Sequence, residues 1–251
     1  MDILTFFTPS EMTDLNINSD TVVIIDVLRA CTTLTVALKS GAAKIVPLGD
    51  PEQARAIYYE QGAVKATLGG SINGELINGF ELSNSPLDYS PAVLQHKTLI
   101  YCSDNLSRAI DAVRSQDRVC LGCFNNMSAV LATIRNCHII SFLCVGKNGR
   151  FSLEDAVCAG MFIQFILNSI ESEFSLNDAA STARYLYYRH HRDILGMLNQ
   201  SSHGLYLSKL GYSTDLEYAA QVNNINIIPE LSSDKNSIIP SVSFEGALNV
   251  M

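Results

Sequence analysis

The sequence predicts an α/β protein, with helices layered on both faces of a mixed or mostly parallel sheet and a largely helical C-terminal segment. Through the first half of the chain, short β-branched runs alternate with helically periodic segments, the rhythm of βαβ units. Near residue 171 the texture changes to mainly helical patterns with one late apolar run. Residues 1–170 therefore read as the α/β core, and 171–251 as a segment packed on it or completing it. At 251 residues the chain can bury a large core, and 47% hydrophobic against 17% charged residues is the composition of a compact protein.

Each element follows from its local pattern. "TVVIIDV" (21–27) holds the apolar β-branched run Val22 to Ile25 and reads as a buried strand, followed by a helix from Ala30 to Ser40. "AKIVPLG" (43–49) repeats the pattern before the periodic segment Pro51 to Glu60, and "AVKATLGG" (63–70) supplies a further strand. The stretch 69–91, "GGSINGELINGFELSNSPLDYSP", is longer than ordinary connections, which predicts either a functional loop or short strands within it. Three more strand–helix pairs follow: "KTLIYCS" with "DNLSRAIDAV", "RVCLGCF" with "NNMSAVLATI", and "HIISFLCVG" with "SLEDAVCAGMFIQFIL" after the loop "KNGR". Late in the chain, "INIIPEL" (225–231) reads as a final strand.

Charge and composition exclude several classes of function. The formal net charge is -8 and no Lys/Arg block interrupts it, so nucleic acid is not an expected partner. The apolar stretches are too short for a membrane span. The 7 cysteines are scattered singly, and nothing ahead of them resembles a signal peptide, so a reduced, cytoplasmic protein is expected. A homodimer is the default expectation for quaternary state.

In open α/β sheets, ligands gather where strands end and helices begin. Asp26 ends the first apolar run, where it can either bind a hard cation or cap the following turn. Arg29 can bind an anion there or pair locally, while Thr32 and Thr33 offer hydroxyls or serve as ordinary helix residues. In 143–160, Gly146 and Gly149 permit a tight turn flanked by Lys147 and Arg150. Ser152 ahead of Glu154 and Asp155 reads as a cap with acids in the first helical turn; the functional reading makes a carboxylate a ligand or base and the cations a phosphate clamp. Asn105 and Asn125, with Ser103, Asp104 and Ser128, stand after two further strands as caps or anion contacts. His190 and His191 are adjacent and face different ways, and Cys120 and Cys123 lack a second pair, so neither reads as a metal site.

The segments "DVLRACTT", "NGFELSNSP" and "GKNGRFSLEDAVCAG", in this order and together with "GCFNNMSAV" and "SHGLYLSKLGYSTDLEYAA", resemble the signatures of the 2-phosphosulfolactate phosphatase family. The resemblance runs through nearly the whole chain. It implies an α/β magnesium-dependent phosphomonoesterase that converts 2-phosphosulfolactate to sulfolactate and phosphate, in a family linked to coenzyme M biosynthesis. It carries over a catalytic set of Asp26, Arg29, Glu154 and Asp155, with Asp26, Glu154 and Asp155 as oxygen ligands for Mg²⁺. Substrate contacts are expected from Thr32, Thr33, Asn84, Ser85, Asn105, Asn125, Lys147 and Arg150, and the expected partner is a small acidic phosphorylated molecule. Departures from the family pattern stand at Ser71 and Ile72, where relatives carry Glu-Arg, and in the stretch "CSDNLS" with Asp104 and Leu106. A noncatalytic relative that binds an acidic metabolite or a protein partner is the alternative that these departures raise.

Overall fold

A computed structural model describes residues 1–15 and 17–241. The elements run β1 (Asp2–Phe6), α1 (Pro9–Leu15), β2 (Thr21–Ile25), α2 (Ala30–Lys39), β3 (Lys44–Leu48) and α3 (Pro51–Gln61). Then come β4 (Ala66–Ile72), β5 (Glu75–Leu76), α4 (Pro91–Leu94), β6 (Thr98–Cys102), α5 (Asp104–Ala112), β7 (Val119–Gly122), α6 (Met127–Ile134) and β8 (Ile139–Cys144). The remainder is α7 (Leu153–Ser169), β9 (Ser175–Leu176), α8 (Asp178–His190), α9 (Ile194–Gln200), α10 (Ser202–Lys209), α11 (Ser213–Ala219), β10 (Ile228–Leu231) and β11 (Ile238–Ser241).

The strands join one sheet in the order β5-β4-β6-β3-β11-β10-β7-β2-β8-β1-β9. Most neighbours are parallel, as the alternating sequence predicts; β5, β10 and β11 pair antiparallel. β2 lies between β7 and β8 and is buried along its whole length, which is why its sequence is continuously apolar. Its pleat sends Val23 and Ile25 into one core with α6, α7 and α8, and Val22 and Ile24 into a second core with α2 and α5.

The β10–β11 hairpin is inserted between β3 and β7 and joins two parallel blocks that it makes run in opposite senses. Six inter-strand steps separate β2 from β4. At roughly 20–25° of twist per step, coiling of the sheet turns the C-terminal ends of the two blocks towards one another. Arg118 fastens the insertion by donating to both carboxylate oxygens of Glu230, at 3.0 and 2.9 Å.

The structure realises one of the expectations for the long irregular stretch and adds two strands that the sequence reading lacks. As expected, the irregular stretch 69–91 contains short elements, the β4–β5 hairpin and a 3-10 turn at Pro86–Asp88, and it ends where α4 begins at Pro91. β1 and β11 have no counterpart in the sequence reading, because five- and four-residue runs carry too little periodicity to separate from turns. No helix among the described residues is long and apolar enough to cross a membrane.

Candidate active site

Four strand ends contribute to one cleft of about 110 Å³. From the end of β2 the chain supplies Asp26 and then turns into α2, with Cys31 N donating to Asp26 O at 2.9 Å. The Asp26 carboxylate is buried and, among the described residues, accepts only a long bond from Ala30 N, at 3.4 Å. From the end of β8, Gly146 leads through residues 147–150 to Ser152, whose hydroxyl accepts from Asp155 N and caps α7. Glu154 and Asp155 thereby occupy the first turn of α7, where the helix dipole favours negative charge. Asp155 bridges the two loops by accepting from Val27 N at 2.9 Å and from Gly146 N at 3.1 Å.

The other two walls come from the oppositely directed block. Ser103, Asp104 and Asn105 open α5 after β6, and residues 71–74 turn β4 into β5. The turn itself uses Asn73 and Gly74, with φ of 52° and 81°, while Gly70 lets β4 press against the end of β6: its φ is +132°, and a Cβ there would stand 2.1 Å from Cys102 O. Asn84 closes the floor, its side-chain oxygen accepting from the Tyr101 hydroxyl at 2.6 Å.

The acids of the cleft reinforce one another. Burial raises the Asp26 carboxyl from the ordinary 3.8 to about 7, with the Glu154 charge adding to the shift and the Ala30 amide and Arg29 opposing it. Burial likewise raises Glu154, and it raises Asp155 well above the usual carboxylate range with help from Asp26 and Glu154. Three buried carboxylates offering only oxygen donors are chemistry suited to a hard cation. Among the described residues, no three His, Cys, Asp or Glu side chains gather tightly enough to hold a metal by themselves. The arrangement fits an ion held by one or two carboxylates and completed by water and substrate oxygens, as magnesium commonly is.

The two cations of the cleft are held differently. Arg29 is buried, donating to Asp215 at 2.6 Å and to Gly74 O at 2.9 Å, and it lies 4.3 Å over the Tyr212 ring. Lys147 places its ammonium 2.9 Å from His203 Nδ1 and 4.1 Å over the Tyr206 ring. Burial, and then the Lys147 and Arg29 charges, push His203 down to about 3, so its ring is neutral and can accept at Nδ1.

Of the predicted site residues, Asp26, Arg29, Asn84, Asn105, Lys147, Glu154 and Asp155 line the cleft. Thr32, Thr33, Ser85, Asn125 and Arg150 do not. Thr32 donates to Val27 O and Thr33 to Asn84 O, both at 2.8 Å, shaping the loops behind the site. Ser85 donates to Asp215 at 2.6 Å, and so shares the carboxylate that holds Arg29. Asn125 is fully buried, its amide nitrogen donating to Tyr218 O and Asn224 at 3.0 Å. Arg150 lies on an adjoining groove. Sequence reasoning assigned no role to His203 or Asp215. Both lie in the family-like segment "SHGLYLSKLGYSTDLEYAA", the signal that could have found them, while the pairing of Asp215 with Arg29, 186 residues away, leaves no local mark.

A model of the 2-phosphosulpholactate phosphatase family matches residues 6–234. The chain belongs to the 2-phosphosulfolactate phosphatase family. Similar relatives include a probable 2-phosphosulfolactate phosphatase from Caldanaerobacter subterraneus subsp. tengcongensis, 32% identical over 240 residues that span 95% of this chain and 98% of the relative. One of the same name from Clostridium novyi is 34% identical over 94% of this chain and 99% of its own. Another, from Symbiobacterium thermophilum, is 35% identical over 82% and 89% respectively. Of the positions that the resemblance marks as departures, Ser71, Ile72 and Asp104 line the cleft, whereas Leu106 is buried within α5.

Proposed function

We propose that this phosphatase-family chain hydrolyses 2-phosphosulfolactate to 3-sulfolactate and inorganic phosphate with Mg²⁺ as cofactor. The observation that carries the reading is the meeting of Asp26, Glu154, Asp155 and Lys147 in one cleft, in a chain whose relatives bear that phosphatase name. Asp26 and Glu154 would hold the ion. When bound, the ion offsets charge on the phosphoryl oxygens and lowers the pKa of the attacking water. Asp155, with both oxygens engaged by backbone amides, orients the Asp26 and Gly146 loops.

Lys147 supplies positive charge to the phosphoryl group, and its position is set by the His203 ring on one side and the Tyr206 face on another. Arg29 keeps the hairpin residue Gly74 and the loop of Ser85 against the cleft through Asp215. Water oxygen bonds to phosphorus as the bond from phosphorus to the C2 oxygen breaks, and that oxygen leaves with one of the water's protons. A covalent route through Asp26 gives the same products.

Phosphate release from 2-phosphosulfolactate by metal-stripped protein, with and without Mg²⁺, tests the reading. Release that depends on Mg²⁺ and is lost in Asp26→Asn is the expected result. No release from folded wild-type protein at any Mg²⁺ concentration would remove it.

A further inference from the structure

Charge balance in the cleft leaves part of such a substrate without a partner. The cleft wall carries Asp26, Asp104, Glu154 and Asp155 against Arg29 and Lys147. Arg29 is already matched by Asp215, and Asp104 by Arg108 at 2.8 Å. A phosphate ester that also bears a carboxylate and a sulfonate brings more negative charge than Lys147 and one divalent ion can offset.

Beyond Lys147 and Asn148 the wall continues into a second groove of about 500 Å³, which Arg150 and Phe151 also line. Residues 147–150 form a two-residue hairpin in which Lys147 N donates to Arg150 O and Arg150 N to Lys147 O, each at 3.0 Å. Asn148 and Gly149 have φ of 53° and 70°, the left-handed pair of a type I′ turn, for which Asn-Gly is the favoured sequence.

The turn meets the strand end tightly. A Cβ at Gly146 would stand 2.2 Å from Arg150 O, and Phe151 packs edge-on against Phe7 at 5.2 Å. In such a hydrogen-bonded pair the two opposed side chains stand on the same face, about 5 Å apart at Cβ. Like charges so placed repel. Lys147 is drawn to His203 and Tyr206, but no described residue offers the Arg150 side chain a carboxylate, a hydrogen-bond acceptor or a ring, and it stays exposed. The tight turn thus carries Lys147 engaged in the carboxylate-lined cleft and, on the adjoining groove, Arg150 with no partner among the described residues, a cation open to an anion beside that cleft.

We propose that Arg150, on the Lys147–Arg150 hairpin, is a second anion subsite and takes the substrate's sulfonate while Lys147 and the carboxylate-lined cleft take its phosphate. This assignment rests on the phosphatase reading above. The test compares 2-phosphosulfolactate with 2-phospholactate, which keeps the phosphate and carboxylate but lacks the sulfonate, in wild type, Arg150→Ala and Arg150→Lys. A lost charge-assisted hydrogen bond predicts that the ratio of kcat/KM for the two substrates falls about tenfold to a hundredfold in Arg150→Ala, with Arg150→Lys between. An unchanged ratio overturns the assignment, whether both activities hold or both fall together, the latter placing Arg150 on the phosphate or carboxylate. If wild type hydrolyses neither compound, the phosphatase reading fails, and calorimetry with 3-sulfolactate decides the subsite. Binding weakened by Arg150→Ala supports it, and absent or unaffected binding overturns it.

Discussion

A carboxylate at the end of a fully buried strand, as Asp26 is, keeps its proton more readily in the folded chain than in the unfolded one. Its folded value of about 7 stands above the ordinary 3.8, so the folded state binds more protons between the two. The stability tied to that proton is fully present below pH 3.8 and is lost as pH rises through about 7. Glu154 and Asp155, raised for the same reason, act in the same direction. Thermal melts of the metal-free protein should therefore fall between about pH 5 and pH 8. Added Mg²⁺ should restore the melting temperature at the alkaline end, because a bound cation offsets the same repulsion. A metal-free stability that rises over this interval would show that the acids are not buried together.

Between elements, the contact that joins the most distant parts of the site is Arg29 with Asp215. It ties the loop after β2 to α11, and the carboxylate also receives the Ser85 hydroxyl from the loop ahead of α4. Both charges are almost wholly buried, so their mutual attraction mainly offsets desolvation, and removing one partner is what reveals the coupling. Asp215→Ala should lower the unfolding free energy by about 3–5 kcal/mol in urea titrations. In an Arg29→Met background the same substitution should cost much less, since no buried guanidinium is then left unpaired. Equal losses in both backgrounds would mean that the two side chains act independently. The helix caps at Ser103 and Ser152 were readable locally, because a capping side chain reaches only two or three residues along the chain.

At the scale of the whole molecule, the C-terminal hairpin sits inside the sheet. β10 and β11 lie between β7 and β3, so a chain ending at residue 170 would expose both strand edges and split the sheet. Such a truncation should show no cooperative thermal transition and no dispersed amide spectrum. A folded, cooperative 1–170 fragment would mean that the two parallel blocks can associate without the hairpin. The same insertion explains why the cleft draws on both blocks: the reversal at the hairpin, combined with sheet twist, turns the loops after β4 and β6 towards those after β2 and β8.

Periodicity and punctuation along the chain determined the α/β class and most strand–helix pairs. They also located the strand-end loops holding Asp26, Asn105, Lys147, Glu154 and Asp155, since all of these depend on residues a few positions apart. Tertiary structure alone decided that Arg29 faces Asp215, that His203 braces Lys147, that Asn125 lies buried away from the cleft, and that Arg150 lines the adjoining groove rather than the cleft. The physical reason is distance along the chain. An ion pair across 186 residues or a strand inserted between two blocks leaves no mark in a local window, because its energy arises only when the sheet has closed around it.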